Sequence, residues 1–353
     1  MKFKRIIVTG GAGFIGGALI RKLLTETESY IYNFDKVSYA SDFSGINKLE
    51  SSKKRHIHHK VDLKNKNALD SLLKDIKPDL IIHLAAETHV DRSIEEPSNF
   101  IESNILGTFN LLQVSYDYWK SLKSDSKKTF RFHHVSTDEV FGSLNKNEFF
   151  DESSNYAPRS PYSASKASSD HLVSSWHSTF GLPTLISNCS NNYGPYQFPE
   201  KLIPLTIIKA LNKEKIPIYG NGKNIRDWLF VDDHIDAILK IIFQGKIGQN
   251  YCIGGNNPMS NIEIVKKICS ILDKLNPKNF QHQDLIEFVK DRPGHDARYA
   301  INTNYIKKEI NWQPKYNFDI AIHKTVLWYM ENIDWCSEIM KRGSYQGGRL
   351  GSI

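Results

Sequence analysis

Short apolar runs alternate with stretches of helical spacing through the first half of the chain. Arg5-Ile6-Ile7-Val8-Thr9 is a short apolar run of the kind that forms a buried strand of a parallel sheet. Ala18, Leu19, Leu23 and Leu24 then recur at helical spacing. Tyr30 to Asp35, His56 to Asp62 and Asp79 to Ala86 read as three further strands, with a helix over Ala68 to Leu73 before the last of them. A helix running to about Trp119 follows, in which Ile101, Ile105, Phe109, Leu112 and Tyr116 recur every three or four residues and so share one face. Phe130 to Ser136 and Pro183 to Asn188 are the fifth and sixth strands. Strands alternating with helices predict an α/β fold with a Rossmann-type, doubly wound parallel sheet.

Beyond Asn188 this rhythm breaks. Pro195, Pro199 and Pro204 punctuate a loop-rich stretch, and strands at Trp228 to Val231 and Asn250 to Ile253 flank a helix over Ile235 to Phe243. The economical reading is a smaller, interleaved substrate-binding lobe. Residues 1–188, with 229–256 returning to them, form the cofactor-binding domain; 189–228 and 257–353 form the second lobe.

Composition changes this picture little. The chain has 353 residues and a formal charge of +7. The excess lies in loops such as Lys53-Lys54-Arg55, which read as solvated surface; no nucleic-acid-binding motif accompanies it. A basic balance also suits a doubly negative nucleotide substrate. Cys189, Cys252, Cys269 and Cys336 are scattered and give neither a zinc pattern nor a disulfide framework. Residue 1 leads almost directly into a strand, leaving no room for a signal peptide, and no apolar run is long enough to span a bilayer. The expectation is a cytoplasmic protein without a bound metal.

Three motifs carry chemistry. Gly10, Gly13 and Gly16 give G-x-x-G-x-x-G between a strand and a helix, where bare backbone lets amides approach a pyrophosphate at the positive helix end. Phe14 and Ile15 lie within that loop. Asp35 ends the next strand, where a carboxylate accepts hydrogen bonds from an adenosine ribose and repels a 2′-phosphate. NAD is therefore favoured over NADP, although the adjacent Lys36 softens the preference. Asp62 and Leu63 could hold the adenine edge or form a simple strand-end turn.

Tyr162-x-x-x-Lys166 follows Ser160 and Pro161, which read as a helix N-cap and first position, so the two side chains lie one turn apart on one face. An ammonium there is expected to lower the phenol pKa, so that tyrosinate acts as a base near neutral pH and Lys166 also reaches the nicotinamide ribose. Ser136-Thr137-Asp138-Glu139 sits at the carboxyl end of the fifth strand, where doubly wound sheets place their sites. Thr137 can bond the hydroxyl being oxidised. Asp138 and Glu139 could have their pKa values split into an acid and a base. Alcohol oxidation needs only Tyr and Lys; the extra pair points to further proton transfers, such as loss of water.

Together with Leu84-Ala85-Ala86 and Arg226-Asp227-Trp228, these motifs resemble the extended short-chain dehydrogenase/reductases. The resemblance is closer still to the dTDP-glucose 4,6-dehydratase family, through His89-Val90-Asp91-Arg92-Ser93, Ser136 to Val140, Ser190 to Pro195, Lys201 to Pro204 and Asp291 to Asp296. The tail from Gly343 to Gly351 is similar to the bacterial form. The resemblance implies NAD as a cofactor that stays bound. It implies that Tyr162, with Thr137 and Lys166, oxidises the C4 hydroxyl of dTDP-glucose. Glu139 then removes the C5 proton while Asp138 protonates the departing C6 hydroxyl, and hydride returns to C6.

The same resemblance implies contacts near the cofactor from Ala85 and contacts to substrate from His89, Asn191, Lys201, Leu202, Tyr219, Arg226, Asn261, Arg292 and His295. Taken alone, Arg226 could instead pair with Asp227 on the surface, Tyr219 could be a core aromatic, and His83 and His89 could be packing histidines. Phe141 and Ala297 depart from the pattern, where many relatives carry Tyr and Arg. A UDP-sugar 4-epimerase needs no Asp-Glu pair. A dehydratase acting on UDP- or CDP-glucose stays open, as does a non-catalytic NAD-binding protein. The family usually forms dimers, which makes the helices near Phe100 to Trp119 and Tyr162 to Phe180 the expected homodimer contact.

Overall fold

The computed structural model describes residues 3–342; the tail motif within 343–351 lies outside the described residues. Twelve strands are found among them: β1 (Arg5–Thr9), β2 (Tyr30–Asp35), β3 (His56–Lys60), β4 (Leu80–His83), β5 (Arg131–Thr137), β6 (Thr184–Cys189), β7 (Asn191–Tyr193), β8 (Ile216–Tyr219), β9 (Ile225–Phe230), β10 (Asn250–Ile253), β11 (Pro258–Ser260) and β12 (Ile286–Val289). Seven build one sheet in the order β10-β6-β5-β4-β1-β2-β3, with every pairing parallel. The chain order reverses direction beside β1 and β4, so a crevice opens at their carboxyl ends.

The apolar runs are continuous because both faces of this sheet are covered. Ile6 and Val8 pack with Leu19 and Leu23 of the helix Phe14–Glu26 and with Ile235, Ile238 and Ile242 of the helix Val231–Gln244. Ile7, between them, faces Leu69, Leu73, Leu111 and Leu112 on the other side. Each of these side chains is at most 2% exposed, and burying one stabilises the fold by roughly 1.5–3 kcal/mol. The second core gathers Ile203, Ile207, Ile264, Ile268, Ile322 and Val326 around a three-stranded sheet, β11-β9-β7, and a pair, β12-β8. Pro204 lies inside a helix, Leu202–Leu211, rather than in a loop. It falls in the first turn, where a missing N–H costs nothing.

The long helix before β5 departs from the expected stripe. Leu112 is buried and Ile105 and Tyr116 are half-buried as expected, but Ile101 is 48% and Phe109 36% exposed, whereas Asn104, Thr108, Leu111 and Val114 are buried. The cause is a π-helical turn, Ile101–Leu106, ahead of the α-helix Gly107–Ser121. Its wider winding breaks the 3.6-residue register and turns Asn104 inward. The Asn104 side chain accepts from the Glu87 amide (2.8 Å) and donates to the Glu87 carbonyl (3.0 Å) and to Ser165 Oγ (2.8 Å). A polar residue is thus fully satisfied inside, pinning the loop after β4 to the helix Pro161–Phe180. No helix among the described residues is long and apolar enough to cross a membrane.

Candidate active site

The helix Pro161–Phe180 begins with a reciprocal cap. Ser160 Oγ accepts from the Ser163 amide (3.1 Å), and Ser163 Oγ accepts from the Ser160 amide (2.9 Å), with Pro161 at the first position. Such a cap contributes about 1 kcal/mol and sets where the helix starts. It therefore fixes the height of Tyr162 and Lys166 against β5. Both are buried, at 7% and 4% exposed. Thr137 closes β5 and caps the short turn Asp138–Phe141, its hydroxyl accepting from the Glu139 amide at 3.2 Å. Asp138 and Glu139 are carried by that turn.

A cleft of about 380 Å³ runs along the carboxyl ends of these strands. Gly10, Gly13, Phe14, Ile15, Gly16, Asp35, Lys36, Asp62, Leu63 and Ala85 line one arm; Thr137, Asp138, Glu139, Tyr162, Lys166, Asn191 and Lys201 line the other. The glycine arm fits a dinucleotide. Gly10 has φ +72°, and a Cβ there would stand 2.7 Å from the Ala85 backbone; at Gly16 it would meet the Gly10 carbonyl at 2.3 Å. Asp35 is fixed by the amides of Ala12 (3.0 Å) and Val37 (2.8 Å), leaving its carboxylate at the cleft. Lys36 is drawn to Glu87 at 2.7 Å, so part of its charge is spent away from the ribose position. Asp62 Oδ1 accepts from the Lys64 amide, so the strand-end turn is real and still lines the cleft.

The electrostatics of the catalytic arm are uneven. Burial pushes the Asp138 carboxyl well above its ordinary range, reinforced by Glu139 and Asp227. Burial also raises Glu139, but Arg292, Arg226 and Lys201 oppose it. Asp138 thus holds its proton while cations favour a carboxylate at Glu139. The expectation of a lowered Tyr162 pKa is not met. Burial and then the Glu139 carboxylate hold the phenol well above its ordinary value, against the Thr137 hydroxyl. The Lys166 ammonium is directed instead to the Val135 carbonyl (2.9 Å) and His134 Nε2 (3.3 Å).

The remaining substrate candidates form a polar collar beside Glu139 rather than the cleft wall. Arg292 lies 3.5 Å from Asp91, whose other oxygen accepts from the Tyr219 hydroxyl at 3.1 Å. Tyr219 is therefore not a core aromatic. His295 bonds Asp291 at 2.6 Å and meets the Tyr219 ring edge-on. His89 caps the helix Val90–Glu95; burial, then Lys201, Arg92 and Arg292, push its pKa down to about 2. Arg226 is 5% exposed, lies over the Tyr299 ring at 4.2 Å and donates to the Asp296 carbonyl. The alternative of a surface pair with Asp227 fails, because Asp227 is buried and accepts from the amides of Gly255 and Asn257. Leu202 packs on the second core, and Asn261 donates its backbone amide to Asn224; neither lines the cleft. His83 is a packing histidine, held between Thr9 and Thr108. Phe141 is absorbed into an apolar group with Phe150 and Tyr156. The Ala297 amide donates to Ser143.

Sequence reasoning assigned no role to Asp91, Asn104, His134 or Asp170. Asp91 stands within the His89-to-Ser93 segment, and Asp170 lies four residues beyond Lys166 on the same helix face.

The comparisons with known proteins agree with this geometry. The family described as GDP-mannose 4,6 dehydratase matches residues 7–325. The chain is 48% identical, over 99% of both lengths, to the dTDP-glucose 4,6-dehydratase of Neisseria meningitidis serogroup B. The chain belongs to the dTDP-glucose 4,6-dehydratase family. Two solved members of that family superpose closely. The Bacillus anthracis enzyme in complex with NAD has a TM-score of 0.84 at 38% identity, covering 95% of this chain and 99% of that one. The Streptomyces venezuelae enzyme with NAD bound has a TM-score of 0.85 at 37% identity, with the same coverage.

Proposed function

We infer that the chain converts dTDP-glucose to dTDP-4-dehydro-6-deoxyglucose. The observation that carries this reading is that Thr137, Asp138, Glu139, Tyr162 and Lys166 line one cleft with the glycine loop. NAD, bound along Gly10, Gly13, Phe14, Ile15, Gly16, Asp35, Asp62 and Leu63, supplies a reversible hydride acceptor. Tyr162, whose phenol must first give up its own proton against the burial that raises its pKa, takes the C4 hydroxyl proton, oriented by Thr137, with Lys166 one helical turn further along. The 4-ketone acidifies C5. Glu139, whose upward shift on burial is opposed by the cations facing it, removes that proton, and Asp138, pushed further up by burial, gives its own to the C6 hydroxyl as water leaves. Arg226, Arg292, Lys201, Asn191, His89, Tyr219 and His295 hold the diphosphate, sugar and base, with Leu202 and Asn261 in supporting elements.

The same proposal places the cofactor in residues 1–188 with 229–256, and the nucleotide sugar in 189–228 with 257–353. It takes the protein as cytoplasmic and as a homodimer. Ile101, Leu106, Phe109 and Phe180 leave an exposed apolar face on adjacent helices that a second copy would cover.

The test is incubation with dTDP-, UDP- and CDP-glucose without added NAD, using substrate deuterated at C4. Label in the C6 methyl group of the dTDP product supports the reading; product only from UDP- or CDP-glucose transfers it to that base. Glu139→Gln is expected to retain NAD and to reduce it on adding substrate, while product formation falls about 10²–10⁴-fold. Unaltered turnover in that variant removes Glu139 from the role of base.

A further inference from the structure

Lys166 is 4% exposed, and the two groups its Nζ touches, the Val135 carbonyl and His134 Nε2, bear no negative charge. A buried ammonium without a counter-charge sheds its proton. One carboxylate is built into the space behind it. Asp170 is 1% exposed, one helical turn beyond Lys166, and its Oδ1 lies 3.1 Å from the same His134 Nε2. Ammonium and carboxylate thus stand on either side of one ring nitrogen, which as a neutral imidazole can hydrogen-bond to only one of them. Asp170 Oδ2 accepts from Tyr156 Oη (3.0 Å) and Asn188 Nδ2 (3.0 Å). Asn188 Nδ2 also donates to the Thr137 carbonyl at 3.1 Å. The carboxylate is thus joined to both halves of the oxidation machinery, on different elements: Lys166 on its own helix and Thr137 at the end of β5.

We propose that Asp170 is a positioning residue whose charge, one helical turn away and across the His134 ring, keeps Lys166 charged, and which locks the Thr137 strand end to the Tyr162 helix through Asn188. This rests on the oxidation role inferred above for Tyr162 and Lys166.

The surrounding groups fix the sign of its pH dependence. Lys166 faces His134 and His83 from the sheet, Cys189 from β6, and Asp170 from its own helix; Asp170 in turn faces Tyr156 and Cys252. Burial lowers the Lys166 pKa, and Asp170 is the foremost group raising it. Burial holds His134 neutral, so the ring carries no competing charge. Burial raises the Asp170 pKa, opposed first by Lys166 and then by the hydrogen bonds of Ser136, Asn188 and Tyr156; removing its carboxylate lets Lys166 lose its proton at lower pH.

The oxidation step is read alone in the Glu139→Gln background, where the base no longer titrates, as nicotinamide reduction in one turnover of the NAD-loaded enzyme with dTDP-glucose. Adding Asp170→Asn is expected to slow it about tenfold or more and to move the alkaline limb of the rate down by about one pH unit, with half-saturating substrate changed less than about twofold. A folded, NAD-replete variant whose alkaline limb coincides with that of its parent overturns the proposal. Should Asp170→Asn not fold, Tyr156→Phe decides. It keeps the charge but removes a hydrogen bond that favours the carboxylate, so the acid limb is expected to rise; an unmoved acid limb overturns the proposal. Failure of the Glu139→Gln parent to reduce its nicotinamide with dTDP-glucose is a different result. It defeats the functional reading itself, and the inference with it.

Discussion

The cleft and the polar collar beside it act as two arms of the site, built in opposite ways. In the cleft arm, each working group is placed by its immediate neighbours in the chain. Gly10 to Gly16 follow one another between a strand and a helix, Tyr162 and Lys166 share a helix face, and Thr137, Asp138 and Glu139 are consecutive. In the collar arm, Asp91 meets Tyr219 across 128 positions and Arg292 across a longer stretch still. The first arm holds its groups by secondary structure, whose geometry is fixed by hydrogen bonds within an element. The second holds them by the packing of segments far apart in the chain. The chemistry is therefore expected to tolerate damage in the second arm better than in the first.

The sharpest test of that contrast is Tyr162→Phe. It removes one hydroxyl from a position 7% exposed and leaves the ring contact with Phe100 in place. Loss of the acid/base group is expected to cut kcat about 10²–10⁴-fold while KM stays within about threefold. Nicotinamide reduction at the parent rate after mixing with substrate would remove Tyr162 from its assigned role and erase the contrast.

Arg292→Gln probes the other arm. Its guanidinium stands 3.5 Å from Asp91 and opposes the rise of the Glu139 pKa. Loss of one charge-assisted hydrogen bond, roughly 1.5–3 kcal/mol, raises KM for the nucleotide sugar about 10- to 100-fold. The sign at Glu139 follows. Without that cation its carboxyl holds a proton to higher pH, so the acid limb of kcat moves upward. A fall in kcat at optimal pH matching that of Tyr162→Phe, with KM unchanged, would show that both arms act on chemistry alike.

The same contrast explains which features are legible in the sequence. The parallel sheet is legible because Ile6, Ile7 and Val8 are apolar without alternation, which only a doubly covered strand requires. The glycine loop, Tyr162, Lys166 and Asp138-Glu139 are legible because their spacing is their geometry. The stripe through Ile101 and Phe109 misleads, because a π-turn changes the winding without any change in composition. Arg226 resembles half of a surface pair with Asp227, its neighbour in sequence. Alternation along β9 sends the two side chains to different partners, Tyr299 and the Gly255–Asn257 amides. The Tyr162 phenol departs from its expected pKa for a related reason. Spacing on one helix shows Lys166 but neither the burial of the phenol nor Glu139, which arrives from another element and adds to it.

The smallest expected effect on turnover belongs to Asp227, which does not line the cleft and bears on stability instead. Its carboxylate accepts from the amides of Gly255 (3.1 Å) and Asn257 (2.8 Å), yet burial raises its pKa from 3.8 to about 6. The folded state therefore binds the proton more tightly than the unfolded chain. The stabilisation from that proton is complete below about pH 4 and is lost as pH rises through about 6. The interval between 3.8 and about 6 corresponds to roughly 3 kcal/mol. Asp227→Asn cannot titrate, so its stability deficit relative to the parent protein should shrink by up to that amount between pH 4 and pH 6.5, then stay level. Denaturant midpoints measured across this range check it. A deficit constant with pH would mean that Asp227 ionises as freely in the fold as outside it, and that the two amides, rather than burial, set its charge.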